Sequence, residues 1–264
     1  MKLRSPVKTH GGKFYLSKWI IEHFPEDYDQ FTYLEPFCGG ASVLLNKKPS
    51  EEEIINDLDE NLISLLRVIR DQPIEFIRKL KKIRYKESTF LNALNNNELN
   101  GDFARAINEF VLRRMSRGGL RKNFAWSNRK RGGKPGEVNA WKTILDLIPE
   151  ISKRLNNVLI LNKPAISVLK VFNDPKVITY CDPTYVPDSR ENLEAYKHEM
   201  TIDDHIELAE VLNSFKGKVL ISGYPSRLYN KLYKNWKCSS KKIPNHASQQ
   251  KIKPIKIELL WTNF

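Results

Sequence analysis

Long apolar runs are missing from this chain of 264 residues. No stretch approaches the ~20 residues that a membrane-spanning helix needs, and the N-terminus has no signal-peptide core. Cysteine is scarce: Cys38, Cys181 and Cys238 are odd in number and unpatterned. That excludes a disulfide framework and a zinc cluster, and it fits a reduced, cytoplasmic protein. The five histidines show no ligand spacing; His198 and His205 read as surface residues, and no metal is expected. Internal repeats and long low-complexity tracts are absent. Positive charge is in excess, with 44 Lys and Arg against 31 Asp and Glu, a net charge of +13. Such an excess suggests a polyanionic partner, nucleic acid first. At 41% hydrophobic the chain can build a full core, as one large domain or two.

The most informative stretch is Val177-Ile178-Thr179-Tyr180-Cys181-Asp182-Pro183-Thr184-Tyr185. Its apolar, β-branched first half reads as a buried parallel strand. Pro183 ends the ladder because it has no N–H to donate. Asp182 and Tyr185 then stand at the carboxyl end of a strand, where open α/β sheets bind their ligands. An aromatic amino group is a poor nucleophile, since its lone pair is delocalised into the ring. The Asp182 carboxylate and the Pro183 carbonyl offer acceptors for both amine hydrogens, which frees that lone pair. Tyr185 offers a face for a stacked base, worth about 1–3 kcal/mol. On its own, Asp-Pro is also a common turn start.

Upstream, Phe31 to Leu45 reads as a strand, a tight turn at Gly39-Gly40 and an apolar helix start, the layout of a Rossmann-like first unit. The dinucleotide fingerprint G-x-G-x-x-G is absent. Glu35 in the turn would repel a phosphate; a ligand with cationic and hydroxyl-bearing parts suits it, as S-adenosylmethionine does. The next strand, Glu53 to Asp57, ends in an acid about 20 residues past the glycines, where ribose hydroxyls are held in that plan; Asp57 reads equally as a helix N-cap. At the N-terminus, Gly11-Gly12-Lys13 leads into a helix whose apolar face is Phe14, Tyr15, Trp19, Ile20 and Phe24. Glycine there lets backbone lie close to a ligand, and Lys13 sets a cation beside it.

Residues 63 to 140 read as helices (63–70, 73–84 and 103–115), with no clear β run: an inserted helical subdomain. From Arg113 to Lys134 nine cations occur without an acid: Arg113, Arg114, Arg117, Arg121, Lys122, Arg129, Lys130, Arg131 and Lys134. Phe124 and Trp126 lie among them. Nine cations without a counter-charge, with glycines and aromatics between, suit phosphates and base edges. After a helix at 140–156 the strand pattern returns at 158–162, 177–181 and 218–222, with a helix at 203–215 capped by Thr201 or Asp203. Ser222 and Tyr224, at the Gly223-Tyr224-Pro225 break, read either as pocket-lining residues or, more economically, as part of a turn. Lys231 to Lys256 holds eight lysines and no acid. The alternating run Ile255 to Trp261 closes a hairpin, and 249–254 reads as a flexible basic loop near DNA.

Taken in order, these segments resemble the Dam-like (D12) class of DNA adenine-N6 methyltransferases over most of the chain. Gly11-Gly12-Lys13 resembles its N-terminal cofactor segment, Glu35-Pro36-Phe37-Cys38-Gly39-Gly40 its methionine-side loop, and Asn56-Asp57 its ribose-binding acid. Arg113, Arg114, Gly119, Leu120 and Arg121 resemble its target-recognition domain. Asp182-Pro183-Thr184-Tyr185 stands where the class has Asp-Pro-Pro-Tyr, and Glu258 to Asn263 looks like its final strand. The departure is Thr184 in place of a rigid second proline.

The resemblance implies a Rossmann-like S-adenosylmethionine-dependent methyltransferase fold. A catalytic domain would comprise 1–62 and 146–264, and a helical target-recognition domain 63–145. Gly12, Lys13, Glu35, Phe37, Gly39, Gly40, Asp57 and Asp182 would hold the cofactor. Asp182, Pro183 and Tyr185 would act on adenine. Arg113, Arg114, Arg117, Arg121, Lys122, Asn123, Arg129 and Lys130 would meet double-stranded DNA. Methylation of an RNA base or a protein glutamine, or a DNA-binding homologue weakened in catalysis, are the alternatives. A cognate restriction endonuclease is left open, as are a monomer and a weak dimer. Action in the cytoplasm, on the nucleoid, is expected.

Overall fold

Short β-branched runs and longer amphipathic runs alternate along the chain, and the computed structural model turns them into strands and helices in that order. It describes all residues except 1, 10, 97–98, 128–129, 132, 187–198 and 245–254, and at 130, 131 and 134 the backbone alone. The elements are α1 (Ser17–Ile21), β1 (Thr32–Glu35), β2 (Glu53–Asn56), α2 (Glu60–Asp71), α3 (Pro73–Lys81), α4 (Glu87–Asn95), α5 (Asp102–Met115), β3 (Lys130–Arg131), β4 (Lys134–Pro135), α6 (Gly136–Leu155), β5 (Val158–Leu161) and α7 (Ala165–Val171). There follow β6 (Val177–Cys181), α8 (Ile202–Asn213), β7 (Lys218–Gly223), α9 (Arg227–Leu232), β8 (Lys237–Pro244) and β9 (Ile255–Thr262).

Two compact units result. One comprises 1–23, 39–47 and 59–162; the other 24–38, 48–58 and 163–264. The boundaries expected at 63 and 145 are therefore drawn differently. Apolar positions of α2 are packed with those of α3, α5 and α6, so α2 and β5 belong with the helices. Phe110 is at the centre of that core, edge-on to Phe76 at 5.5 Å and to Trp141 at 5.0 Å. Each such side chain, fully buried, contributes about 1.5–3 kcal/mol.

In the second unit β2, β1, β6, β7, β9 and β8 are neighbours in that order. The first four are parallel, while β9 runs antiparallel to β7 and to β8. All five residues of β6 are buried, as expected of a central parallel strand covered on both faces. Thr201 caps α8 in a reciprocal capping box with Asp204, satisfying two otherwise orphaned backbone donors. The outer strand β8 carries Lys237, Lys241 and Lys242, a charged edge that resists further strand addition.

Several expectations are corrected. No α-helix follows Gly39-Gly40; turns and one short 3-10 segment, Leu44–Asn46, take its place. Gly39 adopts φ +47°, and a Cβ on Gly40 would lie 2.2 Å from the Ser5 hydroxyl. Gly40 is thus small because Ser5 fills the space, whatever ligand approaches. A fourth helix, α4, and the two-residue β3–β4 hairpin went unread. His205 is buried, its Nδ1 3.0 Å from the Tyr229 hydroxyl, because one face of α8 packs inward. His198 and the basic loop at 249–254 lie outside the described residues.

Candidate active site

Four parallel strands end at one edge of the second unit's sheet, and each ends at or beside a polar residue. Glu35 closes β1, Asn56-Asp57 closes β2, Asp182 follows β6, and Ser222 lies in the last turn of β7. Glu35 is buried and accepts the Tyr33 hydroxyl at 2.9 Å. These two are i and i+2 on one strand, hence on one face. Asn56 is fully buried. Its amide donates to the carbonyls of Pro36 (3.0 Å) and Lys163 (2.9 Å), and its oxygen accepts the Lys163 N–H at 2.9 Å. The Cys38 N–H in turn donates to the Asn56 carbonyl at 2.9 Å. One asparagine thereby fixes the loop after β1 next to Asp57, a role the sequence reading did not assign. Asp57 is half-buried beyond it, and the N-cap of α2 is Asp59, so the capping reading of Asp57 is set aside.

The acids act on the buried thiols that lie among them. Burial, then Asp57 and Glu35, push the Cys38 thiol well above its usual range. Burial pushes the Cys181 thiol up to about 12, with Asp182 and Glu35 adding to the rise and the Thr179 hydroxyl opposing it. Glu35, Asp57 and Asp182 therefore share a field of negative potential within a chain of net charge +13. A ligand with fixed positive charge suits such an edge, and a phosphate does not. S-adenosylmethionine fits this donor set: its sulfonium and ammonium are cationic, and its ribose carries hydroxyls of the kind a carboxylate accepts.

Asp182 is held from the side. Ser222 donates its hydroxyl to Asp182 Oδ1 at 2.9 Å, and Tyr180 Oη lies 3.0 Å from Ser222 Oγ. Of the two readings of Ser222, the turn is set aside: it lies in β7 and contacts Asp182. Pro183 is buried, and Thr184 Oγ1 accepts the Met200 N–H at 3.0 Å. The residue in place of the second proline thus ties down the far end of the segment that follows. Tyr185 is only 4% exposed, its hydroxyl donating to buried Glu258 and its ring 4.5 Å from Tyr224, edge-on. A base would reach the Tyr185 ring only by displacing what covers it, Tyr224 included.

The remaining expected residues, Phe37 apart, belong to the first unit. The backbone turns at Gly12, whose N–H meets the Thr9 carbonyl at 3.2 Å; Lys13 is buried with Nζ 3.0 Å from the Gly11 carbonyl. Phe37, in the second unit, is half-buried. Among the basic residues the structure separates two groups. Arg113 is buried, bonded through Nε to Glu109 and through Nη2 to Asp59 at 2.8 Å. Arg121 Nη1 meets Glu109 at 3.0 Å and Asp59 at 3.4 Å. Two guanidiniums and two carboxylates close a neutral cluster, so the picture of nine uncompensated cations is corrected at Arg113 and Arg121: their counter-charges come from elsewhere in the chain. Arg114 donates to the Ala140 carbonyl at 2.9 Å, and burial lowers its pKa to about 10.

Arg117, Lys122 and Asn123 are exposed. Arg117 lines a hollow of about 540 Å³ with Tyr85, Lys86, Glu87, Phe124 and Trp126. Trp126 is 50% exposed and near-parallel to Phe124, the rings at 18°. Arg129 lies outside the described residues, and of Lys130 only the backbone is described, in β3.

A parallel sheet with a reversed strand slotted in beside its last parallel member, and acids along its carboxyl edge, defines a Rossmann-like methyltransferase. The chain belongs to the D12 class N6 adenine-specific DNA methyltransferase family, which it matches over residues 10–252, and its activity is methylation of adenine in DNA. It is 27% identical to Type II methyltransferase M1.LlaDCHI of Lactococcus lactis subsp. cremoris over 252 residues, 89% of this chain and 86% of that one. With Type II methyltransferase M.MjaIII of Methanocaldococcus jannaschii the identity is 26%, covering 100% of both chains. The DNA adenine methylase of Haemophilus influenzae is 24% identical over 100% of this chain and 94% of its own.

Proposed function

We propose that the protein uses S-adenosylmethionine to methylate the N6 amine of an adenine turned out of double-stranded DNA, with Asp182 and the Pro183 carbonyl holding that amine. The observation that carries this reading is Asp182 at the carboxyl end of β6, braced by Ser222 and beside the field of Glu35 and Asp57. When bound, the cofactor supplies a methyl carbon on a positive sulfur. Asp182 and Pro183 would accept the two amine hydrogens and turn the nitrogen lone pair toward that carbon, so that the methyl group the cofactor would supply passes from sulfur to nitrogen. Asp182 serves as an acceptor more than as a base, since the amine sheds its proton only after alkylation has made it cationic. Nitrogen and carbon must be held near ~3–3.5 Å for attack. Eversion of the base costs a few kcal/mol, offset by stacking on the Tyr185–Tyr224 pair once it opens.

Glu35, Phe37 and Asp57 complete the cofactor site in this reading. Arg117, Lys122 and Asn123, with Arg129 and Lys130, meet the DNA. Arg113, Arg114 and Arg121 brace that surface from within. Among the described residues no helix is long and apolar enough to cross a membrane. Action in the cytoplasm on the nucleoid, as a monomer or weak dimer, is part of the same proposal. The deciding experiment compares labelled methyl incorporation into duplex DNA, RNA and protein by the wild type and by Asp182→Ala. Label in adenine of duplex DNA, lost in the variant whose DNA retention persists, is expected. Near-normal turnover by Asp182→Ala removes Asp182 from its role.

A further inference from the structure

We propose that Ser222 is a positioning residue for Asp182, anchored in turn by Tyr180; the inference rests on the role given to Asp182 above. The strand register supplies the contact. Cys181 on β6 faces Ile221 on β7, so the next pair along the parallel ladder is Asp182 with Ser222. Both Ser222 and Tyr180 are fully buried. The serine hydroxyl has one hydrogen, and it is committed to Asp182 Oδ1. The 3.0 Å contact with Tyr180 must then run the other way, with Tyr180 donating to Ser222. Burial first, and Asp182 next, hold the Tyr180 phenol well above its usual range, so it keeps the hydrogen it donates.

The result is a one-way chain from phenol to serine to carboxylate. Rotation of the Asp182 carboxylate about its own bond breaks the Ser222 contact, and rotation of the Ser222 hydroxyl away breaks the Tyr180 contact. The plane of the carboxylate is therefore held by a contact that runs across two strands of the sheet. Orientation of this kind acts on the reacting geometry more than on ligand affinity. That gives a signature which mere filling of the core would not produce.

The test is single-turnover methylation of duplex DNA at saturating labelled cofactor, with dissociation constants for cofactor and duplex measured on the same samples. Ser222→Ala is expected to slow the methylation step roughly ten- to a hundredfold, the worth of one hydrogen bond to a charged group, with both dissociation constants within about twofold of wild type. Tyr180→Phe, which removes a single oxygen, is expected to slow it roughly three- to tenfold. Because Tyr180 acts only through Ser222, the double variant is expected to be no slower than Ser222→Ala alone. Wild-type rates in Ser222→Ala overturn the inference. So do losses that multiply in the double variant, or rates that fall only in step with the thermal midpoint. Asp182→Ala belongs in the same series. If it is inactive while Ser222→Ala is normal, this inference alone fails; if it turns over normally, Ser222 has nothing to position and both readings fall.

Discussion

Arg113 and Arg117 are four residues apart on paper and serve opposite ends in the structure, so replacing each by alanine separates fold from function. In Arg113→Ala, Glu109 and Asp59 lose a guanidinium while remaining 1% and 5% exposed, with Arg121 the only cation left in the four-membered cluster. Breaking a buried ion pair from one side costs about 3–5 kcal/mol, because the stranded carboxylate cannot regain water. At roughly 2–4 °C per kcal/mol for a chain near this size, the thermal midpoint should fall by about 6–20 °C. Added salt should change that fall little, since buried pairs are weakly screened. Arg117→Ala removes an exposed cation that makes no ion pair among the described residues, so its midpoint should stay within about 1 °C. Its DNA affinity should lose salt dependence, the slope of log K against log salt shrinking by about 0.9 for each phosphate contact removed. Thermal unfolding followed by circular dichroism, beside filter binding over a salt series, reads both effects. An Arg113→Ala protein that melts like wild type but binds DNA with a flattened salt slope would refute the division.

Asp57→Ala should weaken S-adenosylmethionine binding by about ten- to a hundredfold, the loss of hydrogen bonds to a charged acceptor; an unchanged dissociation constant by calorimetry rejects the ribose assignment. Thr184→Pro should lose the bond to the Met200 N–H and cost about 1 kcal/mol of stability. A gain in thermal midpoint would mean that ring rigidity outweighs the anchor. Trp126→Ala should leave the fold intact and weaken duplex binding by about 1–3 kcal/mol if its ring stacks on a base; equal affinity measured by fluorescence anisotropy removes it from the interface. Of the three thiols, Cys238 alone is exposed, and burial holds Cys38 and Cys181 far above the assay pH as neutral thiols. A thiol reagent at pH 8 should count one group in native protein and three after denaturation, and fast labelling of Cys181 would show that β6 opens.

Most of the sheet was legible in the sequence because its parallel strands are buried on both faces, and unbroken runs such as Val177 to Cys181 announce that directly. Acids at the ends of those runs were legible for the same reason: the run stops where Glu35, Asp57 and Asp182 begin. What stayed hidden was pairing across distance. Nothing local marks Ser222 as the partner of Asp182, 40 residues earlier; only the β6–β7 register does so. Asn56 looked like a neighbour of Asp57 and proved to be the latch for two loops. The compact units divide the chain at places other than 63 and 145 because α2 reads as a helix of either one. Its contact with Arg113 through Asp59 joins residues 54 apart in sequence. His205 was misjudged for want of a partner in view, since Tyr229, which receives it, lies on another helix.

Two kinds of partner distinguish the carboxylates of this chain. Glu35 takes a hydroxyl donor from its own strand, Tyr33, and Asp182 takes one from the neighbouring strand, Ser222. A neutral donor fixes the direction of a carboxylate and leaves its charge to act on whatever lies beyond. Asp59 and Glu109 take guanidinium groups, which cancel the charge and bind three stretches of chain into one cluster. Among the helices the same residue types thus serve as masonry, their charge answered within the fold. A basic run in sequence has to be divided in the same way before it is read as an interface. Arginines answered by a buried acid, such as Arg113 and Arg121, hold the fold in shape, and an exposed one such as Arg117 is where contact with phosphates is to be tested.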